Sequence, residues 1–240
     1  MLKGLRRLIN RTGFDVVRIS AFHRDFSEHL KRVLDANQID AVIDVGANKG
    51  QYAAMLRQIG FRGHIYSFEP VSSIYAELCR VSKEDRKWHC FNLALGDEVG
   101  EKQINVYDSH VFSSFLEAND YSKAIWKSLN GVTPERVKVA RLEDIFDTLP
   151  EKEECHRFML KLDTQGFDLQ AFRGTGTYLD QISVLQTELA MIAIYDAMPD
   201  PFATLAEYSS KGFCVSGMYP INRDVSQAVI EYDCVMVRRG

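Results

Sequence analysis

Short apolar, β-branched runs alternate along this chain with segments whose apolar residues recur at helical spacing. Such an alternation is typical of βαβ units built around a parallel sheet. It predicts five successive strands, at Ala41–Val45, His64–Phe68, Trp88–Leu95, Phe158–Leu162 and Ile182–Thr187. A predicted helix at about 201–210 follows, and two further apolar segments predict a closing antiparallel pair at the sheet edge. The pattern therefore indicates one doubly wound α/β domain.

The alternation is interrupted at about residues 101–140. Within this insert the pattern predicts strands at Lys102–Tyr107 and Arg136–Ala140, with a helix around Tyr121–Lys127 between them. A connection this long between sheet strands exceeds the ordinary length and usually carries function. We expect the insert to form a lid over the acceptor side of a binding site.

The chain is organised around Ala41–Gly50, which reads AVIDVGANKG. Its β-branched run predicts a buried strand, and the glycine-bearing loop that follows leads into a predicted helix at Lys49–Ile59. Asp44 therefore lies near the carboxyl end of a strand, facing the backbone N–H groups of the loop. In open α/β sheets, ligands bind at this position.

The residues of this loop restrict the kinds of ligand that can bind there. A dinucleotide fingerprint would need glycines where Asn48 and Gln51 stand, and no Gly-Lys-Ser/Thr follows to make a phosphate loop. Asp44 and the tight turn at Gly46 suit an ammonium group. Glu69 ends the second predicted strand, where an acid accepts hydrogen bonds from both ribose hydroxyls. An ammonium group and a ribose together describe S-adenosylmethionine; the alternative is that both acids only stabilise the fold.

Four sequence blocks support this interpretation: VIDVGANKGQYA, SFEP, NLALGD at Asn92–Asp97 and LKLDTQGFD at Leu160–Asp168. In this order they resemble the signature blocks of the FkbM family of S-adenosylmethionine-dependent methyltransferases, over about Asp40 to Glu188. The resemblance implies a Rossmann-like class I methyltransferase fold, with a seven-stranded, mostly parallel sheet that has one antiparallel strand. It also implies O-methylation, often of a sugar, glycan or polyketide hydroxyl.

S-adenosylmethionine is then the expected cofactor. The residues expected to bind it are Asp44, Gly46, Ala47, Asn48, Gly50, Glu69, Ala94, Leu95 and Asp97. In this fold the end of the third strand borders the adenine, where Ala94 and Leu95 would pack against the ring and Asp97 would accept from its amino group. The alternative for Asp97 is a simple turn acid.

Asp163 ends the fourth predicted strand and is the principal catalytic candidate. It acts either as a general base for the acceptor hydroxyl or, with Glu188, as a ligand of Mg²⁺. We favour the metal-free base, because the segment after Glu188 supplies no second side-chain oxygen. A helix-capping role for Asp163 is the third interpretation. His110 in the insert is a second candidate base, although a lone histidine is more often structural.

Other residues of the insert also suggest acceptor contacts. Ser113 and Ser114 resemble a Ser-Ser-hydrophobic feature of the same family, although either serine could equally belong to a turn or cap. Four aromatic residues could stack on a sugar face or make an ordinary lid core: Tyr107, Phe112, Tyr121 and Trp126.

The formal net charge of −4 argues against nucleic acid as the main partner. Residues 1–32, however, hold eight Lys/Arg and only three Asp/Glu. The basic amphipathic segment at residues 1–10 lies on an anionic membrane, docks on a glycan-assembly partner, or packs its leucines on the domain; we favour packing. We therefore divide the chain into an N-terminal helical cap at 1–36 and a methyltransferase domain at 37–240.

The five cysteines are scattered and form no C-x-x-C pair, which is typical of buried thiols in a reducing cytoplasm. The adjacent pairs His89-Cys90 and Cys155-His156 face opposite ways on a strand and do not indicate a zinc site. The expected location is cytoplasmic, at the inner face of the membrane if residues 1–10 bind lipid.

The expected partner is a small-molecule or glycan acceptor. Two rival functions are an NAD-dependent oxidoreductase, which needs the missing glycines, and a cofactor-binding scaffold without transfer activity. The acid at Asp163 and the long insert argue against the scaffold.

Overall fold

The computed structural model describes residues 26–239 of the 240-residue chain. The amphipathic segment at residues 1–10 and most of the N-terminal cap predicted at 1–36 lie outside the described residues. The part of the cap that the structure describes is helical over Phe26–Ala36.

In chain order the strands are β1 (Ala41–Val45), β2 (His64–Phe68), β3 (Trp88–Phe91), β4 (Ala94–Leu95), β5 (Gly100–Tyr107), β6 (Val132–Ala140), β7 (Phe158–Leu162), β8 (Ile182–Ala190), β9 (Phe213–Arg223) and β10 (Val229–Arg238). The α-helices are α1 (Phe26–Ala36), α2 (Gln51–Gln58), α3 (Ser72–Ser82), α4 (Asp120–Ile125), α5 (Leu142–Ile145), α6 (Asp168–Arg173) and α7 (Pro201–Ser210).

The main sheet has seven strands in the order β3-β2-β1-β7-β8-β10-β9. β10 runs antiparallel to both of its neighbours, and the other adjacent pairs are parallel. This arrangement confirms the predicted Rossmann-like α/β fold with one antiparallel strand. The chain order reverses direction between β1 and β7, so the carboxyl ends of these two strands flank a crevice in which ligands bind.

Both faces of the sheet are covered, which explains why the central strands are mostly apolar. Every residue of β1, β2 and β7 is buried. Alternate residues of β1 enter different cores: Ile43 packs in the cluster that holds Phe172 of α6, and Val42 packs in the cluster that holds Leu30 of α1. None of the described helices is both long and apolar enough to cross a bilayer.

The insert strands β5 and β6 form a second, three-stranded sheet together with β4, in the order β4-β6-β5. The prediction of a single strand at Trp88–Leu95 was wrong, because the chain leaves the main sheet after Phe91 and β4 pairs with β6 instead. The Asn92 side-chain amide fixes this turn by donating to the carbonyls of Glu69 and Pro70. The predicted strands of the insert exist and are longer than expected.

Candidate functional site

The loop after β1 makes a tight turn at Gly46, which has a φ of 74°. A Cβ at this position would overlap the backbone carbonyl of Asp163, so only glycine allows the β1 and β7 loops to approach so closely. The N–H groups of Gly46 and Ala47 both donate to the carbonyl oxygen of Phe68 at the end of β2. The turn therefore lies between the ends of the two neighbouring strands.

Gly50, which the sequence predicts among the cofactor-binding residues, lies at the start of α2. It is the N-cap of α2, with a φ of 88°, and a Cβ there would collide with the ring of Trp88. Packing against Trp88 behind the loop therefore requires glycine at this position, and Gly50 does not line the cavity described below.

Glu69, directly after β2, is buried and accepts hydrogen bonds from the backbone N–H groups of Asn48 and Val71, each at 2.9 Å. Burial raises the pKa of its carboxyl to about 7, even though these two hydrogen bonds act in the opposite direction. The carboxylate lines the cavity. Each oxygen has accepted one hydrogen bond and keeps a further lone pair for a ligand hydroxyl.

Asp44 is fully buried and lies behind the loop. One of its oxygens is 3.0 Å from Lys161 Nζ, and the other accepts from the Ser67 hydroxyl at 3.1 Å. Lys161 also donates to the carbonyl oxygen of Gly46 at 3.0 Å and lies 3.4 Å from a carboxylate oxygen of Asp163. Burial alone would lower the pKa of Lys161, but the two carboxylates outweigh it and raise the pKa above its usual value. Lys161 therefore ties the acid of β1 to the acid after β7.

A cavity of about 370 Å³ opens at these strand ends. Eight of the residues predicted for the site line it: Gly46, Ala47, Asn48, Glu69, Ala94, Leu95, His110 and Asp163. Four predicted residues do not: Asp44, Gly50, Asp97 and Glu188. The wall is completed by residues that sequence reasoning did not select: Gln51, Tyr52, Met55, Ile104, Val111, Phe115, Lys161, Thr164 and Gln165 among them.

Asp163 and Glu188 are bridged by a side chain that the sequence did not reveal. Gln165 adopts a left-handed conformation, with a φ of 53°, and its amide nitrogen donates to Glu188 at 2.6 Å and to Asp163 at 3.3 Å. Its carbonyl oxygen accepts from the Tyr195 hydroxyl at 3.0 Å. Burial and the neighbouring charge of Asp163 raise the pKa of Glu188 well above its ordinary value.

The insert closes the other side of the cavity. His110 Nδ1 and Ser113 Oγ are buried, and neither has a hydrogen-bond partner within residues 26–239. Both residues line the cavity. Ser114 is turned away and donates to the backbone carbonyl of Gln165 at 2.6 Å, which fastens the insert to the loop after β7. The insert is therefore held over the site by a specific contact.

The aromatic residues considered for sugar stacking lie in the core of the lid and do not line the cavity. These four residues are Tyr107, Phe112, Tyr121 and Trp126. They pack against Ala118, Leu129, Ile194, Tyr195 and Ile230. Phe115 is the aromatic residue of the insert that reaches the cavity wall.

The strand order and the cavity at the carboxyl ends of β1, β2 and β7 define the Rossmann-like architecture of class I methyltransferases. The sequence also assigns the chain to a family within this class. The model of the methyltransferase FkbM domain matches residues 44–213, and the chain belongs to this family. The match begins at Asp44 and includes the glycine loop, Glu69, the insert and the strands of the main sheet from β2 to the start of β9.

Solved structures with a similar fold include the magnesium protoporphyrin IX methyltransferase of Synechocystis PCC 6803 with bound S-adenosylmethionine, at 12% identity over 99% of this chain and 96% of that chain, with a TM-score of 0.47. A precorrin-6y C5,15-methyltransferase from Geobacter metallireducens GS-15 is 9% identical over 95% of each chain, with a TM-score of 0.48. These likenesses concern the fold alone. A comparison with curated proteins gave no match.

Proposed function

We propose that this chain is an S-adenosylmethionine-dependent O-methyltransferase that acts on a hydroxyl of a sugar, glycan or polyketide-type acceptor. The observation that carries the proposal is the single cavity lined by both Glu69 and Asp163. One acid is positioned for a ribose, and the other is partly exposed beneath the lid. The family supports methyl transfer, and the cavity supplies the place for it.

The residues present fit the cofactor. Gly46 provides a turn that any side chain would fill, and Glu69 supplies lone pairs for the two ribose hydroxyls. Ala94 and Leu95 offer an apolar wall for the adenine. Because Asp44 does not line the cavity, we assign it a positioning role: it holds Lys161, which in turn holds the carbonyl of Gly46.

When bound, S-adenosylmethionine supplies an electrophilic methyl group on a sulfonium. Transfer of that methyl group to an acceptor hydroxyl would leave S-adenosylhomocysteine, and the hydroxyl proton would have to pass to a base of this chain. Asp163 is the favoured base because its carboxylate lines the cavity and its side chain is 43% exposed, within reach of an acceptor. Positioned general bases typically contribute a factor of about 10² to 10⁴ in rate. His110 is the second candidate, through its unpartnered Nδ1.

The geometry also supports the preference for a reaction without a metal ion at this site. The Gln165 amide nitrogen donates to Glu188 and lies within hydrogen-bond distance of Asp163, so it occupies the position between the two carboxylates. A cation shared by Asp163 and Glu188 would have to displace a donor that already satisfies them. Mg²⁺ also requires near-octahedral oxygen ligation.

The test uses the full chain, labelled S-adenosylmethionine and a panel of sugar, glycan and polyketide hydroxyl acceptors. Asp163→Asn should keep cofactor affinity and lose methyl transfer by about a hundredfold or more. Asp180→Asn, which alters an acid that is 94% exposed and remote from the cavity, should behave as the wild type. Turnover near wild type in Asp163→Asn would refute the assigned base, and activity abolished by a chelator and restored by Mg²⁺ would favour the metal role.

The same panel of acceptors also distinguishes methyl transfer from the two rival functions. Cofactor binding without transfer to any acceptor would favour a scaffold, and binding of NAD in place of S-adenosylmethionine would favour an oxidoreductase. The loop opposes the oxidoreductase, since Asn48 and Gln51 line the cavity where that fingerprint has glycines.

A further inference from the structure

A second cluster of chemically active side chains lies at the opposite end of β2 from the cofactor cavity. His64 is the first residue of β2, and Glu69 follows its last residue. Five residues of extended strand separate the two by roughly 16 Å. At the amino end, His64 and His89 stack with ring centroids 5.9 Å apart, and Glu151 from the loop before β7 reaches over them.

Three of the four ring nitrogens in this cluster lack hydrogen bonds within the described residues. Both nitrogens of His64 and Nε2 of His89 are buried and have no hydrogen-bond partner in the described part of the chain. The His64 side chain is only 3% exposed. A buried imidazole whose nitrogens have no hydrogen-bond partner loses its hydration without replacing the lost hydrogen bonds. The arrangement is explained if a ligand bound to these nitrogens is part of the functional protein.

Glu151 supplies the third donor. One of its carboxylate oxygens lies 3.4 Å from His64 Nδ1 and 3.8 Å from His89 Nε2. One ligand atom from each of the three residues lies within 4.8 Å of the other two. Around a tetrahedral Zn²⁺ with bonds of about 2.1 Å, neighbouring ligand atoms are about 3.4 Å apart. Two measured separations are thus close to this value, and a tilt of the two nearly parallel rings toward each other would shorten the third.

We propose that His64, His89 and Glu151 form a binding site for a divalent transition-metal ion, with Zn²⁺ as the ion best matched by two imidazoles and one carboxylate. His64 binds the ion through Nδ1. Its Nε2 then faces Glu154, whose carboxylate oxygen is 3.8 Å away. A carboxylate behind a ligating histidine fixes the ring and its tautomer. A water molecule would complete the tetrahedron.

The role of this site is structural, since it lies far from the cofactor cavity. The ion would join the amino ends of β2 and β3 to the loop that precedes β7. Glu151 adopts a left-handed conformation, with a φ of 56°, at the start of the short 3₁₀ turn Lys152–Glu154. The Glu151 side chain is 52% exposed, so the ion can reach the site from solvent.

The test is a calorimetric titration of ZnCl₂ into the full chain after chelator treatment and desalting. We expect saturable binding of one ion per chain and a thermal unfolding midpoint that rises with added Zn²⁺. Glu151→Gln and His89→Ala should each weaken binding by about a hundredfold or more, since even outer-shell partners contribute about 10–100-fold. Co²⁺ added to the wild type should give the strong visible absorption of a tetrahedral site.

Two matched variants control for adventitious binding. Glu153→Gln removes an exposed acid from the same loop, and His156→Ala removes an exposed histidine nearby; both should bind Zn²⁺ as the wild type does. Glu151→Gln changes an exposed side chain, and its circular dichroism should match that of the wild type. Absence of one-to-one binding, equal affinity in Glu151→Gln and wild type, or an equal loss in Glu153→Gln would each overturn the proposal.

Discussion

Glu69 has two roles that burial makes interdependent. It orders the site before any ligand arrives, because it fixes the N–H groups of Asn48 and Val71. Burial also raises the pKa of its carboxyl to about 7, against an ordinary value of 4.5. The folded chain holds this proton more tightly than the unfolded chain. The resulting stabilisation is therefore complete below pH of about 4.5 and is lost as the pH rises through about 7.

Cofactor binding should show the opposite pH dependence. An ionised carboxylate is the stronger acceptor for ribose hydroxyls, so affinity for S-adenosylhomocysteine should fall as the pH drops from 8 to 6. If only the ionised form binds, the loss is about tenfold, since a carboxyl with a pKa of about 7 is roughly nine-tenths protonated at pH 6. Calorimetric titrations at several pH values measure this slope.

Glu69→Gln should bind more weakly and show no such slope. Glu84→Gln, which alters an exposed acid on the surface, should retain the wild-type slope. An identical pH dependence in Glu69→Gln and wild type would remove Glu69 from the ribose site.

Individual residues differ in how far the sequence reveals them. Gly46 and Glu69 follow from their place at strand ends, and the structure places both in the cavity wall. Lys161 carried a usable signal, as a lysine within an otherwise apolar strand, that sequence reasoning did not use. Tyr195 carried no signal, and Gln165 is marked only by its place in the block Leu160–Asp168, because the two residues are 30 positions apart and meet only in the folded chain.

At the scale of elements, a buried ion pair joins β1 to β7. Lys161 and Asp44 lie on adjacent parallel strands, and both side chains are almost fully buried. Breaking such a pair from one side leaves a buried, uncompensated charge, whereas removing both charges is often nearly neutral.

Lys161→Met should therefore lower the free energy of unfolding by about 3–5 kcal/mol, measured by urea denaturation. The double variant Lys161→Met/Asp44→Asn should recover much of this loss, because no isolated charge remains. Lys83→Met, at an exposed position after α3, is the control and should change stability little. A double variant no more stable than Lys161→Met alone would show that the charge pair is not the cause.

The insert was predictable in outline and not in its packing. Its length and its interruption of the β–α alternation predicted a lid with two strands and a helix, and these elements exist. That β4 would leave the main sheet depends on the Asn92 turn, which no periodicity records. The candidate metal cluster was unpredictable for the same reason, because His64, His89 and Glu151 come from separate segments with no motif spacing.

The whole molecule confirms the fold that the sequence indicates, because its central strands are buried on both faces and are mostly apolar in sequence. The proposed division at residue 36 stays a prediction. The same holds for contact of residues 1–10 with an anionic membrane and for a location at its inner face. The acceptor is the least predictable feature, since the lid aromatics that suggested a sugar lie in the lid core.

The most direct test of the central claim is a calorimetric titration of the full chain with S-adenosylhomocysteine and, separately, with NAD. We expect one S-adenosylhomocysteine per chain and no binding of NAD. Hydrogen bonds to a charged group are worth about 1.5–3 kcal/mol, so Glu69→Ala should weaken S-adenosylhomocysteine binding by about tenfold to a hundredfold. Binding of NAD alone, or unchanged affinity in a folded Glu69→Ala variant, would contradict the assignment of this cavity to S-adenosylmethionine.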